Sequence, residues 1–252
     1  MLHSFTFYPF GDGAIPFGGV IRDSAGTLYG TTPFAGASFA GIVYKVDPAG
    51  NETVLYNFTG GPDGGDPYAG VIQGPNGDLY GTAYLGGAAG QGVVYRVNAA
   101  GVEKVLHSFL GGTDGASPFA GLIADAEGNL YGTTSGGGTA NAGTVFKLDP
   151  AGNETVVYSF TGGLDGGSPG GVIRDSAGNL YGTSGFGGTA NAGVVYKLNP
   201  AGQETVLHNF TGGNDGGAPE GSLIRDAAGN LYGTTQFGGK GLGGVVFRIK
   251  AQ

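Results

Sequence analysis

Along the chain, β-branched and aromatic residues alternate with polar ones in short runs, and each run is cut off by a cluster of Gly, Asn, Asp or Pro. A period of two over four to six residues predicts a half-buried strand, and no segment carries the i, i+3, i+4 apolar spacing of a helix. Residues 171–210 display the pattern best, with strands expected at 171–174, 180–183, 194–198 and 205–210. The first two are joined by Asp175-Ser176-Ala177-Gly178-Asn179 and the last two by Asn199-Pro200-Ala201-Gly202-Gln203, turns in which Gly and Asn tolerate positive φ.

The same unit recurs along the whole chain. Leu-Tyr-Gly appears at Leu28, Leu79, Leu130, Leu180 and Leu231, in steps of 51, 51, 50 and 51 residues. The short step falls in the fourth unit, where Pro169-Gly170-Gly171-Val172 is one residue tighter than Pro118-Phe119-Ala120-Gly121-Leu122. Four short strands per unit at a period near 50 is the signature of a propeller blade. The expectation is an all-β protein, a five-bladed β-propeller of four antiparallel strands per blade, with residues 1–252 as a single domain. The last unit stops after its third strand, at 245–249, and Leu2-His3-Ser4-Phe5 matches Leu207-His208-Asn209-Phe210. Residues 2–5 are therefore expected to pair with the last blade as its fourth strand and close the ring, hiding two sheet edges.

The string Asp175-Ser176-Ala177-Gly178-Asn179-Leu180-Tyr181-Gly182-Thr183, its Gly-rich sequel and the run Val145-Phe146-Lys147-Leu148-Asp149-Pro150-Ala151-Gly152 resemble the GloVer tandem repeat of bacterial surface proteins, often found beside a variable membrane anchor. All five units match. The resemblance implies export and display on the cell surface, with no activity to carry over. This chain departs from that pattern in having neither anchor nor recognisable signal, which leaves an isolated domain or an engineered repeat protein as alternatives.

Composition narrows the partners. Glycine supplies 58 of 252 residues, a share that suggests disorder until it is set against 13 Tyr and 15 Phe at fixed places in the repeat. The net charge is −8, and the 11 Lys and Arg are spread one or two per unit, so a nucleic-acid partner is not expected. Neither is membrane insertion, since no apolar run reaches 18 residues. A monomer is expected. Cysteine is absent, which removes disulfides and thiol chemistry.

Two loops per blade should share one rim: that leading from the fourth strand into the next blade, and that joining strands two and three. The first repeats as Gly-Gly-x-Asp-Gly-x-x-Pro and places Asp12, Asp63, Asp114, Asp165 and Asp215 in a ring. These carboxylates suit either Asx-type turns or ligand hydroxyls; Ca²⁺ is a weaker option, because one Asp per loop is thin for a cation wanting six to eight oxygens. After the Pro come Phe17, Tyr68 and Phe119, replaced by Gly170 and Glu220 in the last two units. The second loop offers Phe34, Tyr84, Phe186 and Phe237, with Gly136 in the third unit. These rings either pack between blades or form sugar platforms, an aromatic face beside a carboxylate being suited to a pyranose.

Other columns read as scaffold. Tyr29, Tyr80, Tyr131, Tyr181 and Tyr232 are expected to pack between blades. Lys45, Arg96, Lys147, Lys197 and Arg248 are expected to meet Glu52, Glu103, Glu154 and Glu204 across a hairpin, and Arg22, Arg174 and Arg225 to line the channel rim. His3, His107 and His208 share one repeat position with Tyr56 and Tyr158, an interchange that argues against a general base. The expected function is non-catalytic: a surface binding or interaction module, with carbohydrate bound at several rim sites. The alternatives are a purely structural or protein-interaction propeller and a glycoside hydrolase built on Glu220, one of few acids besides Asp66 and Glu127 without counterparts in most units.

Overall fold

A computed structural model describes residues 1–6 and 11–251. Five antiparallel sheets follow one another along the chain. The first holds β1 (Ile21–Arg22), β2 (Leu28–Thr32), β3 (Ile42–Val46) and β4 (Glu52–Asn57). The second holds β5 (Ile72–Gln73), β6 (Leu79–Ala83), β7 (Val93–Val97) and β8 (Glu103–Ser108). β9 (Ile123–Ala124), β10 (Leu130–Thr134), β11 (Thr144–Leu148) and β12 (Glu154–Ser159) make the third. The fourth has an extra short strand, with β13 (Gly167–Pro169), β14 (Ile173–Arg174), β15 (Leu180–Phe186), β16 (Val194–Leu198) and β17 (Glu204–Asn209). β18 (Ile224–Arg225), β19 (Leu231–Thr235) and β20 (Val245–Ile249) form the last. Among the described residues the one helical element is a 3₁₀ turn at Gly112–Asp114.

Each of the first four blades is a meander with the short first strand towards one edge and the fourth on the other, and the core lies between blades. Phe58, Phe109, Phe160 and Phe210, just beyond the fourth strands, are fully buried. Each meets an aromatic of the next blade edge to face: Phe58–Tyr95 at 4.9 Å, Phe109–Phe146 at 5.2 Å, Phe160–Tyr196 at 5.1 Å and Phe210–Phe247 at 5.0 Å between ring centroids. Burial of one such ring contributes about 1.5–3 kcal/mol. The aromatic that receives it needs a glycine opposite: a Cβ on Gly81 would come within 2.4 Å of the Tyr95 hydroxyl. That explains the Gly in every Leu-Tyr-Gly. Tyr29, Tyr80 and Tyr131 pack on the core of the following blade, as expected of their column.

One scaffold expectation is corrected by register. Lys45 faces Thr53, while Glu52 lies opposite Val46, so strand alternation puts the base and the acid on opposite faces of the blade. No Lys–Glu ion pair forms among the described residues; Lys147 and Lys197 instead sit 5.9 Å from the ring centroids of Tyr131 and Tyr181. Arg174 and Arg225 likewise lean onto the tyrosine of the preceding blade, Tyr131 and Tyr181.

Residues 2–5 occupy the place of a fourth strand relative to the first blade. Phe5 meets Tyr44 at 4.9 Å, and the Leu2 carbonyl abuts Gly50 as the Leu55 carbonyl abuts Gly101. They form no strand, however, and β20 is the edge of a three-stranded sheet. The junction between the fifth and first blades is open. Val43, Val94, Val145 and Val195 are 0% exposed against the next blade, whereas Val246 in the same repeat position is 79% exposed. On the facing side Val20 is 51% exposed, while Val71, Leu122, Val172 and Leu223 are 1–3%.

Candidate functional site

The rim loops are built on a strained turn. Ile15, Asp66, Ser117, Ser168 and Ala218, each preceding a proline, all have φ between 49° and 56°. Left-handed backbone costs a residue with a Cβ roughly 1–2 kcal/mol. An inter-blade hydrogen bond offsets it in four units: the N–H of Asp66 donates to Ala40, Ser117 to Gln91, Ser168 to Ala142 and Ala218 to Ala192, at 2.7–2.9 Å. The turn therefore holds each first loop against the second loop of the preceding blade.

The Asp column lies at the ends of the outermost strands. Asp63 accepts hydrogen bonds from the Tyr56 hydroxyl (2.9 Å), the Thr59 N–H (2.8 Å) and the Thr59 hydroxyl, and Asp165 accepts the same set from Tyr158 and Thr161. Asp12 is bound by Thr6 and by His3 at 2.7 Å; burial pushes its carboxyl up, but those hydrogen bonds outweigh it and hold it below its ordinary value. Asp114 and Asp215 accept from Leu110 and Thr211, with His107 and His208 each 3.4 Å away. The His/Tyr interchange thus has a physical reason, since either ring places a polar atom towards the same carboxylate. These acids engage their own loops and are not brought together with the rim aromatics. Among the described residues no group of three or more His, Asp or Glu is arranged to hold a metal.

The aromatics do converge, but not in five equivalent places. Tyr68 and Phe119 stack tilted at 5.0 Å, and Phe17 meets them at 5.9 and 5.7 Å. Tyr84 adds an edge contact to Tyr68 at 5.7 Å and to Phe119 at 6.2 Å, and Phe34 reaches Tyr68 at 5.9 Å. Phe186 and Phe237 lie elsewhere, covering Gly167 and Gly217. Bridge pairing makes Phe34, Leu85, Gly136, Phe186 and Phe237 the equivalent residues, each paired with the first loop; Phe34 meets a ring because the next blade supplies Tyr68, where the blade after Phe186 supplies Glu220. Tyr84 belongs one residue earlier in the repeat, and a shift of one along an extended chain sends a side chain to the other face.

Units four and five have no ring to add to this cluster, and a cavity of about 340 Å³ opens there. Tyr68, Tyr84 and Phe119 wall one side; Ser135, Ser168, Gly170 and the Glu220 side chain line the rest. The one-residue deletion contributes to it, since Gly170 is drawn into the blade by a hydrogen bond from its N–H to Thr183. The deletion also leaves the buried Thr133 hydroxyl without a protein partner, where Thr31, Thr82 and Thr183 donate to carbonyls of the next blade. Glu220 is held by Gln236 at 3.4 Å, and Ser135 donates to the Ser117 carbonyl at 2.8 Å. Behind Tyr68, burial pushes the Asp66 carboxyl above its ordinary value. Ser135 and Ser168 were not legible as site residues; the unit-four deletion is a signal from which they could have been found.

The fold is similar to that of several solved proteins. Virginiamycin B lyase from Staphylococcus aureus superposes with a TM-score of 0.60 at 13% identity, over 93% of this chain and 69% of that one. A gluconolactonase from Xanthomonas campestris does so with a TM-score of 0.58 at 16% identity, over 96% and 75%. An extracellular domain from Bacteroides thetaiotaomicron gives 0.55 at 11% identity, over 90% of this chain but 26% of that one. At these identities the likeness is one of fold. No helix among the described residues is long and apolar enough to cross a membrane. A comparison with curated protein sequences finds no match. The model of the Gloeobacter/Verrucomicrobia repeat matches residues 1–173 and 154–252, and the chain belongs to that family.

Proposed function

We propose that this propeller is a non-catalytic binding module that takes a sugar ring at one axial site, the cavity between the Tyr68–Tyr84–Phe119 wall and Glu220. The observation that carries the reading is the convergence of rings from the first three blades opposite a carboxylate from the fifth. A pyranose places its C–H face on aromatic rings and its hydroxyls against oriented acceptors, which Glu220 and the two serines supply. The volume of 340 Å³ suits one or two sugar units. A hydrolase would need a second carboxylate across the scissile bond, and Glu220 is the acid that lines the cavity. One site per chain replaces the several expected from repetition. A glycan array followed by isothermal titration tests the proposal. Binding at one site per chain, lost in Tyr68→Ala and weakened in Glu220→Gln, supports it; a silent array leaves a protein-interaction scaffold. Display outside the cell, as a monomer, fits such a module.

The proposal includes a closed ring. Residues 2–5 already hold the fourth-strand place against the first blade, and pairing them with β20 would bring Val246 onto Val20. Val246 and Val20 stand at the repeat positions that pack valine against valine or leucine at the other four junctions.

A further inference from the structure

At the rim opposite the aromatic mouth, where the turns between strands one and two and between strands three and four lie, the grooves between blades differ in charge. The groove between the fourth and fifth blades encloses about 260 Å³ and is lined by Lys197, Arg225 and Lys250, with no acidic side chain among its lining residues. Lys197 from β16 and Arg225 from β18 approach one ring, Tyr181, each at 5.9 Å from its centroid. Lys250 follows β20 and is fixed by the neighbouring Ala251 N–H, which donates to the Asn230 side chain at 3.2 Å. Thus three of the chain's 11 Lys and Arg, in a protein of net charge −8, meet in one groove.

The repeat explains why this happens once. The residue after the third strand is Asp47, Asn98, Asp149, Asn199 and then Lys250. In the groove between the second and third blades, Arg96 and Lys104 are met by Glu127 and Asp149. Only at the fourth-to-fifth groove is the first of these turn positions neutral, Asn199, and the second basic. Asn199 carries no charge, and its side-chain oxygen accepts from the N–H groups of Ala201 and Gln203. The Asp175 carboxylate of that blade does not line the groove; it accepts hydrogen bonds from Asn179, Ala177 and the Tyr181 hydroxyl.

We infer that this groove binds a small, doubly charged oxyanion, a phosphate or sulfate group, free or as a monoester. Three positive side chains lining one groove draw an anion to it, and ammonium and guanidinium donors both suit tetrahedral oxyanions. The site is independent of the axial cavity and of any sugar bound there.

Isothermal titration of the whole chain at low ionic strength with inorganic phosphate, inorganic sulfate and glucose 6-phosphate tests the inference, with glucose as the uncharged control. One site per chain is expected for the anions and none for glucose in this groove; a monoester that binds more tightly than either free anion identifies the esterified form as the better ligand. Lys250→Gln and Arg225→Gln should each weaken binding about tenfold, the worth of one charge-assisted hydrogen bond. Lys147→Gln, in the preceding groove, should leave it unchanged. Lys250 is exposed and follows the last strand, so its variant should melt as the parent does. Absence of anion binding at tens of millimolar, or an equal loss in Lys147→Gln, overturns the inference.

Discussion

The Tyr56 hydroxyl donates to the Asp63 carboxylate over 2.9 Å, tying the end of a fourth strand to the loop that opens the next blade. Asp63 also accepts from Thr59, so three donors depend on one side chain. Asp63→Ala should therefore destabilise the protein by about 1–3 kcal/mol, the cost of unpaired donors at a half-buried site, well beyond the effect of an ordinary surface change. Chemical denaturation measures it. Asp63→Asn, which keeps an acceptor, should recover part of the loss; equal stability of Ala and parent would show that the bond does not matter in solution.

The Glu column gives a dependence on pH. Burial, aided by Asp63, Asp114 and Asp165, raises Glu103, Glu154 and Glu204 to about 7, and Glu52 is raised as well. One oxygen of each is buried with no protein partner. A carboxyl whose folded value lies above its unfolded value near 4.5 holds its proton more tightly in the native state, so stability falls as pH climbs from about 4.5 to 7 and levels off above. His107, lowered mainly by burial, works the other way in the upper part of that range, but as one group against several. Melting temperature should decline between pH 5 and 7.5, and a combined Glu103→Gln, Glu154→Gln, Glu204→Gln variant should flatten the decline. A profile that rises through this window would contradict the assignment.

What the chain made legible was the repeat and its strand periods, because a residue such as Tyr29 or Phe58 has one environment set by its neighbours in the same and the next blade. The strands at 194–198 and the turns around Asp175 and Asn199 fall where the alternation puts them. What the pattern could not carry was which face a loop residue takes once alternation breaks. Tyr84 aligns by eye with Phe34, but a one-residue offset separates them. Glu52 and Lys45 are near in sequence yet on opposite faces, since the register of β3 and β4 sets Glu52 opposite Val46. The cavity beside Glu220 comes from what the fourth unit lacks, a residue and a ring, and its shape depends on four blades at once.

Gly170 marks that dependence. A Cβ there would lie 2.4 Å from the Glu220 carbonyl oxygen and 2.7 Å from the Thr183 hydroxyl. Gly170→Ala should lower stability by about 1–3 kcal/mol, as overpacking does, and shift the blade that carries Glu220. Any ligand of the axial cavity should bind it more weakly. Thermal unfolding and titration of the same sample separate the two effects. A stable variant with unaltered binding would show that the fourth and fifth blades are not held at this contact.

The closing of the ring is testable from both sides of the open junction. Residues 2–5 bury Phe5 against Ile42, Tyr44 and Val46, so their removal exposes apolar surface on the first blade whether or not β20 has found a partner. That deletion should lower the melting temperature, and Phe5→Ala should cost about 3–5 kcal/mol at most, less in so far as Phe5 is only half-buried. The discriminating change is Val246→Asp. In an open ring Val246 is 79% exposed and a carboxylate there is nearly neutral. In a closed ring it would face Val20 across a dry interface, like Val195 against the fifth blade, and an unpaired buried charge would cost several kcal/mol. We expect the large loss, together with a matching loss for Val20→Asp and no further loss when the two are combined with removal of residues 1–5. Near-neutral Val246→Asp would mean that the five blades form an arc, with its two apolar faces left to a partner.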